Sequence, residues 1–69
     1  MARIKVCKEE YKEAPYSIAR LIAYNAETLE KVKSLRVETC AGDADELLER
    51  HRYKEWFIKE LENEGHSVI

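Results

Sequence analysis

Arg50, His51 and Lys54 are the residues of this chain whose types and spacing come nearest to a chemical site. At about 100° per residue on a helical wheel with Leu47 at zero, they fall near −60°, +40° and −20°, on one face. Two permanent cations beside an imidazole there make a candidate site for a small anion or an acidic partner. The alternative is snorkelling, with long stems lying along a core and charged heads reaching water. On that reading His51 is a half-buried, hydrogen-bonded histidine. Trp56 projects the opposite way, near 180°, with Tyr53 on its flank and Arg52 and Lys59 beside it. A large aromatic on the polar side of a helix is either covered by a second layer of the fold, such as the segment around Tyr11, or anchors a partner. Trp56, Tyr53, Arg52 and Lys59 are therefore the candidate partner-binding residues.

Other chemistry is not supported. The only glycines are Gly42 and Gly65, so no glycine-rich phosphate loop is present, and neither a nucleophile elbow nor an HExxH helix occurs. Cys7 and Cys40 form no CxxC and stand at no ligand spacing from His51 or His66, which argues against zinc. Both read as free thiols. No catalytic residue, metal or cofactor is expected.

The element that must position these groups is a helix over Asp43–Glu64. Asp43 is a strong N-cap, with Glu46 at capping-box spacing, and Gly65 supplies the stop. Leu47, Ile58, Ala44, Leu61, Phe57 and Leu48 spread into one broad apolar face. Ahead of it, Ala2–Lys8 alternates as a half-buried strand, and Lys8–Ala14 reads as a charged loop. Pro15 opens a first helix in which Ile18, Leu21, Ile22, Leu29 and Val32 recur at helical spacing, with Asn25 in the stripe as a buried amide. Ser34–Ala41 alternates and carries Val and Thr, which favours a strand over continuation of that helix. His66–Ile69 reads as a short last strand.

The expected fold is thus α+β in the order β-α-β-α-β. Both helices lie on one face of a three-stranded sheet, and the other face is left to solvent or a second copy. A helical hairpin with a strand from the two termini is the alternative.

With 69 residues the chain reads as one domain, 1–69. A domain of this size buries only about 60% of its unfolded surface, so a homodimer is a natural remedy. Charged residues are 38% of the chain at a net charge of −2. Acids and bases interleave, which leaves no basic footprint for nucleic acid. Met1 is followed by charged, strand-like sequence with no apolar run, so a cytoplasmic location without membrane contact is expected. These readings converge on a small non-enzymatic protein-binding module. It would inhibit or regulate a partner by occupying its surface, as accessory proteins of phages and mobile elements do. The alternative is a small nucleic-acid-associated regulator using the basic and aromatic face of the second helix.

Overall fold

Tyr16–Asn25 decides the architecture. Its apolar residues fit a helical stripe, yet they equally fit a strand buried on both faces, where Ser17, Ala19, Leu21 and Ala23 point one way and Ile18, Arg20, Ile22 and Tyr24 the other. In the structure, a computed structural model that describes residues 2–69, it is a strand. The chain runs β1 (Arg3–Glu13), β2 (Tyr16–Asn25), β3 (Lys31–Thr39), α1 (Ala44–Arg50), α2 (Tyr53–Asn63) and β4 (Ser67–Val68). The fold is α+β, with a four-stranded sheet in the order β3-β2-β1-β4. β1 and β2 pair antiparallel, as do β2 and β3, and β4 lies parallel to β1.

The expected three-stranded β-α-β-α-β order is corrected at its first helix. That helix and the charged loop before it are replaced by a long hairpin. Lys8–Glu13 continues β1, with Tyr11 opposite Ile18 and Glu9 opposite Arg20, which it meets at 3.7 Å. Its charges belong to a strand that is wet on both faces beyond Cys7. Pro15 sits in the tight Ala14–Pro15 connection, and this peptide bond is cis. Asn25 is not a buried amide in a helical stripe. It ends β2, and its Oδ1 accepts from the N–H groups of Glu27 (2.9 Å) and Thr28 (3.2 Å). That Asx turn, with Leu29 in the left-handed region (φ 64°), reverses the chain into β3. The strand expected over Ser34–Ala41 is present with shifted bounds: it begins earlier, at Lys31, and ends at Thr39.

The single helix expected over Asp43–Glu64 is broken at His51–Arg52, where Arg52 is left-handed (φ 56°). The wheel gives the reason. On an unbroken helix the buried Ala44 and Leu48 of α1 would point about 140° away from the buried Phe57 and Leu61 of α2. No straight helix could seat both pairs on one sheet, and the break rotates the second pair onto it. Asp43 caps α1 by accepting from the Asp45 N–H (3.1 Å). Glu46 instead pairs with Arg50 (2.9 Å). Ser17 of β2 supplies a second, tertiary cap, its buried Oγ accepting from the Ala44 N–H at 3.0 Å.

Both helices pack on one face of the sheet. Ile4, Ala19, Leu21, Ala23 and Val37 meet Ala44, Leu48, Phe57 and Leu61 there in one core. Ala19 and Ala23 are wholly buried; their small side chains let the helices approach β2 closely. Lys8 tethers α1 through Asp45 (2.7 Å). After Gly65, Ser67 and Ile69 donate to the Ala2 and Ile4 carbonyls and lay β4 beside the start of β1. The far face carries no helix, yet Ile18 and Ile22 are 1% and 2% exposed there. Tyr11 and Glu38 flank the first, Cys7 and Ser34 the second. On this face, expected to be left to solvent or a second copy, these two isoleucines are already covered within the chain.

Candidate apolar groove between β3 and α2

Where α2 crosses the sheet toward β3, it leaves a groove of about 470 Å³ lined by Lys33, Ser34, Leu35, His51, Tyr53, Trp56, Phe57 and Glu60. Phe57 is buried and Leu35 half-buried, so these two give it apolar contact surface. Trp56 stands on its rim at 63% exposure. One end is closed by Lys33, whose Nζ lies 2.8 Å from Glu64 and 3.1 Å from Glu60. These hydrogen bonds raise the Lys33 pKa, through Glu64 first and Glu60 second, and hold the Glu64 carboxyl below its ordinary value. The cation is thus matched within the chain. At the other end the His51 and Tyr53 rings lie 5.5 Å apart, tilted by 33°. The result is an apolar trough between two polar ends.

The residues expected to bind a partner gather around Trp56. Tyr53 lines the groove with it, while Arg52 and Lys59 border its opposite side together with Glu55. Lys59 Nζ stands 5.9 Å from the indole centroid, within range of a cation–π contact. Tyr11 does not cover Trp56, because it lies across from Ile18 on the far face of the sheet.

The helix break separates the residues of the expected anion site. Arg50 turns back to Glu46 and borders the loop at Gly42. His51 is exposed and lines the Trp56 groove, so it is not the half-buried histidine of the unbroken helix. Lys54 borders a third depression with Lys8, Arg52, Glu49 and Glu55. The spacing that put the three on one wheel face does not survive Arg52.

Sequence reasoning missed Lys33, Ser34, Leu35, Phe57 and Glu60 as groove residues. Leu35 and Phe57 carried only an apolar signal, and nothing local says that β3 and α2 are neighbours. Cys7 and Cys40 are both free thiols, the first half-buried and the second exposed. Among the described residues no three His, Cys, Asp or Glu side chains converge as a metal site requires. No helix among them is long and apolar enough to cross a membrane. No protein-family model matches the chain, and neither a curated protein nor a solved structure matches it.

Proposed function

We propose that this chain is a non-enzymatic protein-binding module that inhibits or regulates a partner by seating an apolar element of it in the β3–α2 groove. The observation that carries the reading is Trp56, 63% exposed at the rim of an apolar trough. Burying an indole is worth several kcal/mol to a complex, whereas leaving it in water gains nothing for the fold. Tyr53 adds a second aromatic wall, and Arg52 and Lys59 form a polar rim. Apolar centre and polar rim are the anatomy of a protein interface. The nucleic-acid reading has less support. Arg50 is matched by Glu46 and Arg52 by Glu55 at 3.6 Å, and Glu49 stands among the remaining cations.

The test is affinity capture by the wild-type chain set beside Trp56→Ala. The indole makes little core contact, so its removal should change stability by less than about 0.5 kcal/mol. Partner affinity should fall by roughly 2 kcal/mol or more, about thirtyfold. A partner held equally well by the variant would end this reading. So would wild-type capture that is itself lost steeply as salt is raised, because that is the signature of phosphate contacts.

A further inference from the structure

The sheet has two open edges, and the chain treats them differently. β4 pairs with β1 only at Arg3 and Ile4, so β1 is an open edge from Lys5 to Glu13. Six of those nine residues are charged: Lys5, Lys8, Glu9, Glu10, Lys12 and Glu13. Dense charge is how natural edge strands repel another strand. β3 is an edge along its whole length, Lys31–Thr39. From Ser34 onward its only charges are Arg36 and Glu38, of opposite sign, one on each side of Val37. They face away from the helices and lie 3.3 Å apart, about half exposed.

An opposite pair two residues apart is self-complementary under antiparallel pairing. Set Val37 opposite Val37 of a second copy, and each Arg36 faces the other copy's Glu38, twice over by symmetry. The same register places Leu35 opposite Thr39, with no like charges meeting. Centring one residue earlier would put Arg36 against Arg36, and one residue later Glu38 against Glu38. Charge therefore selects the register as well as permitting the pairing.

We propose that two copies of this chain associate through β3, antiparallel about Val37, to form one continuous eight-stranded sheet. The two-fold axis is perpendicular to the sheet, so both helical layers and both Trp56 grooves lie on the same side. The far face plays no part, consistent with the burial of Ile18 and Ile22 within each copy. The driving terms are the unpaired backbone groups of β3 and the limited core of a chain this small. The proposal is independent of any other partner, because its readout is the mass of the purified chain alone.

Sedimentation of the full chain across the micromolar range should give twice the 8.1 kDa chain mass. Arg36→Glu and Glu38→Arg each set like charges opposite one another at two symmetric positions. Each should weaken the dimer roughly tenfold or more. The double variant R36E/E38R restores both pairs with their signs exchanged and should recover dimerisation. Thermal melts confirm that each variant is folded. If a reversal prevents folding, Arg36→Gln carries the test, since it removes the attraction without adding repulsion. A chain that is monomeric throughout overturns the proposal. So does a dimer indifferent to these substitutions, or a double variant no better than the singles.

Discussion

Leu29 shows how a single residue can work against the local backbone here. It occupies the left-handed region at φ 64°, and its side chain is 75% exposed. A leucine in that conformation costs roughly 1–2 kcal/mol, and so little burial returns almost none of it. The turn is held by other groups, the Asn25 Oδ1 acceptor and the Leu29 N–H bonded to the Asn25 carbonyl. Leu29→Asn keeps the backbone bond and adds a residue that tolerates this conformation. Urea unfolding should show a gain of about 0.5–1 kcal/mol. A loss would mean that the leucine packs against something in solution. Ser17 is the opposite case, a small side chain with a large structural role. Ser17→Ala would leave the Ala44 N–H buried without an acceptor, at a cost of about 1–3 kcal/mol. Unchanged stability in the same assay would show that water replaces the hydroxyl.

At the level of elements, the break between α1 and α2 explains which apolar residues are core and which are surface. Leu48 and Phe57 lie on opposite sides of the break, and both are buried, at 2% and 3% exposure. Leu48→Ala and Phe57→Ala should each destabilise the chain by about 2–5 kcal/mol. Trp56 is Phe57's neighbour, and its truncation should cost less than about 0.5 kcal/mol. A continuous helix would invert part of that order. It would turn the Ala44–Leu48 pair or the Phe57–Leu61 pair away from the sheet, and one of the two alanine variants would then be nearly silent. Melting the three variants side by side distinguishes the two arrangements.

For the molecule as a whole, two ion pairs between helix and sheet contribute to the response to pH. Lys8 donates to Asp45 and Lys33 to Glu64, which holds both carboxyls below their ordinary values and raises both lysines. For the carboxyls, the unfolded chain binds protons at a higher pH than the folded chain does. Their contribution is complete above about pH 4.3 and is lost as pH falls through the lowered folded values. For the lysines it is complete below about pH 10.4 and is lost as pH rises through the raised folded values. Melting temperature should therefore fall at both extremes, and Glu64→Gln should flatten part of the acid limb. High salt should do likewise, since these pairs are at the surface. An acid limb unchanged by Glu64→Gln would assign it to other carboxylates.

Much of the outline is written in local pattern. The alternation of Ile4 and Val6, the Val- and Thr-bearing run into Thr39, the Asp43 cap and the Gly65 stop each specify their element by backbone preference and side-chain period. They need no knowledge of the rest of the chain. Residues 16 to 25 could not be read that way. A strand buried on both faces loses its period of two, and its apolar residues then match a helix equally well. Only pairing with β1 and β3 made it a strand. The break at Arg52 was likewise invisible locally, because Glu49–Lys54 is good helical sequence. What forces the break is the common sheet that Leu48 and Phe57 must both reach. The groove follows the same rule. Trp56 was legible as an aromatic on the wrong side of a helix, a property of spacing alone. Leu35 and Phe57 became its neighbours only when α2 was laid beside β3, a contact between residues far apart in the chain.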